Sequence, residues 1–275
     1  MIMLTGFADE ISPDLDTQLD ILAQEGISYL ELRSVWKTNV LKLSDDQVKD
    51  VKMRLDSRGI KVSSIGSPIG KIKIIDDFES HLLDFQRAIS LAKFFETPYI
   101  RIFSFLIPEG EGPDRYKEEV LLRMKELVRI AEQEQVILLH ENEKHIYGDT
   151  AERCQVLLEA CGSSHFRCAF DPANYIQCQV RPMTEAYPLV ESYISYIHIK
   201  DALLETGKVV PAGEGDGQLA ELLSVLKERK YEGFLSLEPH LSAAGKFEGY
   251  SGGDLFKVAS GAIKEILRQE GIDWK

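Results

Sequence analysis

An amphipathic segment that stops at a glycine or a short polar turn, then passes at once into a brief β-rich run, recurs along the whole chain. That rhythm limits the possible folds more than any other feature. Residues 15–24 carry apolar side chains at helical spacing, Gly26 ends the segment, and residues 27–32 follow as a strand. Ser44 is the expected N-cap of a helix over 45–57, Gly59 is its stop, and 60–65 forms the third strand. The unit repeats as 78–94 into 99–103, 115–134 into 136–141, 150–160 into 166–170, a weaker helix over 183–191 into 196–199, and 219–229 into 234–237. With the opening run 3–8 as first strand and a closing helix over 255–268, eight strands alternate with eight helices. Strands separated by helices of this length pair in parallel through right-handed crossovers. Eight such units make a closed barrel, with an open doubly wound sheet as the alternative.

The expectation is a single α/β domain over residues 1–275, a (β/α)8 TIM barrel. A hydrophobic content of 44% is ample for its core, and no linker or low-complexity stretch divides the chain. A net charge of −13 opposes phosphate backbones, so no nucleic-acid partner is expected. No apolar run approaches the roughly 18 residues of a membrane helix. With no apolar leader after Met1 and only four cysteines, the chain reads as cytoplasmic, with reduced thiols. Cys154, Cys161 and Cys168 lack the C-x2-C pairing of a zinc site and read as buried structural residues.

Four apolar runs in the second half each end on a metal-type ligand: residues 136–141, 166–171, 196–198 and 234–238 close on Glu141, Asp171, His198 and Glu238. In a barrel these are the downstream strand ends, where the chemistry sits. Strand alternation turns Glu141 to the same side as Leu139, groups Tyr196, His198 and Lys200, and groups Ser236, Glu238 and His240. The polar set therefore points into the barrel. Burying several ionisable groups costs several kcal/mol each unless they are paired or bind a cation, so a shared divalent metal is their natural partner.

The strings HENEKHIYGDT (140–150), FDPANY (170–175), YIHIKD (196–201), VPAGEGDG (210–217) and LSLEPH (235–240), with ADEIS (8–12) and ELR (31–33), resemble the xylose isomerase-like barrel superfamily. Within it the chain is similar to the sugar phosphate isomerase/epimerase group, which also includes inosose dehydratases and hydroxypyruvate isomerase. The resemblance implies metal ligation by Glu141, Asp171, His198 and Glu238, with Glu141 and Glu238 as the acid/base pair. Asn174 stands where ketose 3-epimerases have a substrate-binding histidine. A divalent ion that chelates a carbonyl and its adjacent hydroxyl acidifies the C–H between them, and paired carboxylates can then move the proton. The outcome is epimerisation, isomerisation or loss of water. One imidazole among oxygens suits Mn²⁺, the favoured ion, as well as Mg²⁺, Co²⁺, Fe²⁺ or Zn²⁺.

The implied function is a metal-dependent isomerase or epimerase of a keto-sugar or related polyol. The alternatives are a dehydratase of a cyclic polyol and a sugar-binding barrel without catalysis. An abasic-site endonuclease is disfavoured by the acidic balance and by only six histidines. Arg33, Arg101, Lys200 and His240 are candidate substrate contacts, for hydroxyls or a carboxylate, or else neutralise the carboxylates. Trp36 and Phe7 are candidates for an apolar wall. Asp201 either orients the site or caps a surface turn, and the glycine-rich 213–217 segment reads as a flexible loop over the site. His140, Glu141 and His145 miss the zincin spacing and lie on a strand and loop. In the last two loops Glu205, Glu214, Asp216, Glu248 and Asp254 outnumber Lys208, Lys246 and Lys257, which predicts a neutral ligand rather than a sugar phosphate. A homo-oligomer is compatible with all of this.

Overall fold

The computed structural model describes residues 1–241 and 252–275, so Lys246 and Glu248 lie outside the described residues. Eight parallel strands form where the rhythm places them: β1 (Ile2–Gly6), β2 (Tyr29–Leu32), β3 (Lys61–Gly66), β4 (Tyr99–Ile102), β5 (Ile137–Glu141), β6 (Phe166–Phe170), β7 (Ile194–Ile199) and β8 (Gly233–Leu237). They are hydrogen-bonded in the order β1-β8-β7-β6-β5-β4-β3-β2, a nearly closed barrel with the connecting helices outside. This is the (β/α)8 TIM barrel, and the open sheet is excluded. No ladder joins β1 to β2 among the described residues. At that seam the backbone of β1 pairs instead with Lys275, whose carbonyl accepts from Leu4 N–H at 2.7 Å and whose N–H donates to Ile2 at 3.0 Å.

Local chemistry sets the helix limits. Asp14 opens α1 (Leu15–Gln24) by accepting the Thr17 N–H, and Ser44 with Gln47 forms a reciprocal capping box at the head of α2 (Asp45–Ser57). Asp77 caps α3 (Phe78–Phe94) in the same way. After α1 and α2 the chain turns at Gly26 and Gly59, both left-handed at φ +66° and +65°, where a side chain would be strained. The helix expected from 115 begins instead as a 3-10 turn at Pro113–Tyr116 and becomes α4 at Lys117–Glu134, while α5 is Ala151–Cys161.

Two departures have physical causes. The weak helix over 183–191 breaks into a wide turn at Pro182–Ala186, a short α7 at Tyr187–Val190 and a 3-10 turn at Glu191–Tyr193, because Pro182 and Pro188 supply no N–H. A helix the periodicity does not announce, α6 (Pro172–Gln177), starts directly after β6 with Asp171 as its N-cap. Helices α8 (Leu219–Glu228) and α9 (Gly253–Gln269) complete the ring. Among the described residues no helix is long and apolar enough to cross a membrane.

Strand alternation divides the interior as expected. Ile197, Ile199, Leu235 and Leu237 face outward into the layer between strands and helices, while Leu139, Ala169, Tyr196 and Phe234 fill the base of the barrel. Above that apolar plug the inside turns polar: Ser63 Oγ lies 2.8 Å from Thr5 Oγ1 and 2.9 Å from the Tyr196 hydroxyl. The ionisable residues sit above this belt, at the downstream strand ends.

Candidate metal and substrate site

Glu141 ends β5, Asp171 follows β6, His198 lies within β7 and Glu238 follows β8. The barrel brings one ligand atom from each within 4.8 Å of the others, all four side chains being buried. His198 presents Nδ1 to Glu141 at 3.1 Å and to Glu238 at 3.8 Å. Asp171 Oδ2 and both nitrogens of His198 meet their neighbours only at ion-pair distances and make no hydrogen bond, although they are buried. Three carboxylate oxygens and an imidazole nitrogen converging with unused lone pairs are the donor set of a divalent-ion site.

Asp171, Glu141 and His198 are each positioned by a neighbour. Asp171 Oδ1 accepts the Asn174 N–H at 2.9 Å as the cap of α6, and its own backbone N–H donates to Asn142 Oδ1 at 3.0 Å. An aspartate followed by proline is an N-cap and first-turn pair, so the sequence did carry a signal for α6. Asn174, expected to meet substrate, donates its amide to Glu141 Oε1 at 3.1 Å and to the Asn142 carbonyl at 2.9 Å. Sequence reasoning missed Glu31 as a partner. Fully buried at the end of β2, it faces His198 Nε2 at 3.3 Å and accepts from Ser236 Oγ at 2.6 Å. A carboxylate behind a ligating histidine fixes the ring and strengthens its donor atom.

The cations divide into two kinds. Arg33 is committed: it donates to Asp9 at 2.7 and 3.1 Å and to Glu238 at 3.0 Å, its guanidinium lying over Phe7. Lys200 bridges Asp171 at 2.8 Å and Glu238 at 3.0 Å, and His240 lies 3.1 Å from Glu238. Arg101 touches the cluster only through Glu141, at 3.3 Å. Burial resists charge on Glu141, but His198 and Arg101 outweigh it and bring its pKa down to about 2. Burial resists charge on Glu238 as well, and Lys200 with His240 holds its carboxyl well below the usual range. Asp171 goes the other way, raised to about 6 by burial and by the neighbouring Glu141 and Glu238 against the pull of Lys200. Both glutamates are thus ionised at neutral pH.

These residues edge a cavity of about 190 Å³ whose lining includes Arg33, Lys71, Arg101, Asn174, Lys200 and His240. A larger cavity of about 460 Å³ lies elsewhere, beside Lys52, Phe95 and Phe234, with Lys52 paired to Asp56 at 2.6 Å. The metal-type ligand groups found among the described residues do not border it, whereas Glu141, Glu238 and His240 of those groups line the smaller cavity. Phe7 lies between the arginines and His198, 5.3 Å from the imidazole. Trp36 is not at the cavity: it packs on the outer core beneath Arg54.

Asp201 and the glycine-rich segment differ from expectation. Asp201 is fully buried, and its carboxylate accepts N–H bonds from Ala202, Gly213, Gly215 and Gly217 at 2.8–3.1 Å. The loop is fastened rather than loose, and its amides are already occupied by a carboxylate, which leaves them no role in cradling phosphate.

A family model described as xylose isomerase-like TIM barrel matches residues 19–254. Among solved structures, a D-tagatose 3-epimerase-like protein is similar at 17% identity with a TM-score of 0.79, each chain covered to 98%. The IOLI protein, solved with a bound zinc atom, is similar at 16% identity and a TM-score of 0.77 over 98% of this chain and 99% of that one. A probable 3-DHS dehydratase, AsbF of Bacillus anthracis, is similar at 16% identity and a TM-score of 0.75 over 96% and 99%. A comparison with curated proteins finds no match.

Proposed function

The chain belongs to the xylose isomerase-like TIM barrel family, and from that premise we propose that it is a divalent-metal-dependent isomerase or epimerase of a non-phosphorylated keto-sugar or related polyol. The observation that carries the proposal is the convergence of Glu141, Asp171, His198 and Glu238 within 4.8 Å at the edge of a cavity whose lining includes Arg33, Arg101 and Lys200. These four residues would hold the ion, with Mn²⁺ the favoured occupant; the similar IOLI protein was solved with zinc. When bound, the ion polarises the substrate carbonyl and disperses the charge of the enediolate.

The remaining steps belong to the side chains. Glu141 is ionised, and Asn174 and Arg101 hold its two oxygens, which fixes the direction from which it can take a proton. Glu238 is ionised too, steadied by Arg33 and Lys200 on its two oxygens. Two carboxylates from different strands can take the C–H proton on one side of the substrate and return it on the other, which is epimerisation; return to the neighbouring carbon is isomerisation. Lys200 and His240, beside Glu238, would donate to substrate oxygens as charge develops.

Metal analysis of protein purified without chelator, beside His198→Ala, tests the ion site, and equal metal content in both would remove His198 from it. Incubating keto-sugars with the Mn²⁺-loaded protein in deuterated water tests the chemistry. Solvent deuterium incorporated at a carbon beside the carbonyl is the expected result. Its absence across ketoses that demonstrably bind would overturn proton abstraction.

A further inference from the structure

Arg101 is only 4% exposed, yet its guanidinium makes no hydrogen bond among the described residues. Among the described residues the guanidinium's one polar contact is the 3.3 Å ion pair with Glu141, and its Nε is buried without a partner. The guanidinium is held by rings, 4.4 Å from Phe103 and 5.4 Å from Phe7. Stacking of this kind fixes the plane of a guanidinium while leaving its in-plane donors unused. Arg101 lines the 190 Å³ cavity, as does Lys71, whose ammonium stands 4.2 Å from the same Phe103 ring. Arg33, by contrast, spends its donors on Asp9 and Glu238. A buried, oriented and unspent guanidinium beside a proton-transfer carboxylate is half of a recognition pair.

We propose that Arg101 receives a substrate carboxylate, so that the ligand of this cavity is a keto-sugar acid rather than an uncharged keto-sugar. The inference rests on the carbohydrate reading of the site and narrows it. A planar carboxylate presents two oxygens to the fork of a guanidinium, which a hydroxymethyl group cannot do. A phosphate dianion is the poorer fit, because Glu141, Glu143 and Glu238 line the same cavity and repel the second charge. The singly charged carboxylate meets Arg101 with Lys71 nearby, and Lys71 is itself paired with Glu143 at 2.6 Å.

D-Gluconate and D-glucitol differ only in a carboxylate for a hydroxymethyl group, and titration calorimetry of the Mn²⁺-loaded protein with each is the test. Gluconate should bind at least about tenfold more tightly, given the strength of a two-point charged contact. In Arg101→Met that preference should vanish, and in Arg101→Lys it should persist in part, since the charge remains without the fork. Equal affinities of the unaltered protein for the two ligands overturn the proposal without reference to any variant. A gluconate preference undiminished in Arg101→Met also overturns it, because the carboxylate would then be bound by the metal ion. Failure of both ligands to bind refutes the carbohydrate reading together with this inference.

Discussion

Replacing Asp201 by asparagine should cost the protein a large part of its stability, although the change is nearly isosteric. The Asp201 carboxylate is fully buried, with Oδ1 accepting from Ala202 and Gly217 at 2.8 Å each and Oδ2 accepting from Gly213 at 2.9 Å and Gly215 at 3.1 Å. An amide keeps one accepting oxygen and turns an NH2 group toward the other two backbone donors. Two charge-assisted bonds are therefore lost and two N–H groups are left facing a donor. A hydrogen bond to a charged group contributes about 1.5–3 kcal/mol, so the loss is about 3–5 kcal/mol once relaxation of the loop is allowed for. Against a total stability of about 5–15 kcal/mol for a typical domain, that is a large fraction. Urea denaturation followed by circular dichroism measures it, with the slope of the transition checked for a change in the unfolded state. Gly215→Ala should act through the same contact, since a Cβ there would lie 2.3 Å from Asp201 Oδ1 and 2.7 Å from the Ala202 carbonyl. A loss below about 1 kcal/mol for Asp201→Asn would refute the claim that this carboxylate fastens the loop.

Glu31→Gln keeps an acceptor for Ser236 but removes the charge behind His198, so Mn²⁺ affinity measured by calorimetry should fall about tenfold; an affinity within twofold of the original removes Glu31 from the site. Glu141→Gln and Glu238→Gln should each abolish solvent exchange of substrate while the thermal melt stays near that of the parent. Residual activity within about tenfold, only roughly 1.4 kcal/mol on the transition-state scale, would clear that residue of the role of base. His81 is buried and its Nε2 accepts the Gly70 N–H at 2.8 Å, so burial lowers its pKa from the ordinary histidine value. Its contribution to stability is therefore complete above pH about 6.5 and declines as pH falls below that value, because the unfolded chain then binds the proton first. The fall in melting temperature from pH 7.5 to 5 should be smaller in His81→Gln than in the parent; equal falls would contradict this.

The order of elements was legible in the chain because each strand and helix carries its own period and its own stop. Gly26 and Gly59 end helices through a local backbone preference, and Ser44 and Gln47 cap α2 through contacts three residues apart. The inward parity of Tyr196, His198 and Lys200 is likewise a local consequence of the pleat. Hence the fold class and the convergence of Glu141, Asp171, His198 and Glu238 could be anticipated before any coordinate was known.

What a side chain meets across the barrel has no such local signature. Glu31 and His198 lie on strands far apart in sequence, and only closure of the barrel sets them 3.3 Å apart. The same closure decides that Arg33 is consumed by Asp9 and Glu238 while Arg101, of the same chemistry and the same parity, is left with open donors. Asn174 and Asp201 were visible as polar residues near strand ends, but the atoms their hydrogen bonds reach depend on where α6 and the 213–217 loop come to rest. Period and capping are properties of neighbours in sequence, and these the chain states by itself. Pairing of buried charge is a property of neighbours in space, settled only when packing brings distant strands together and removes the water between them.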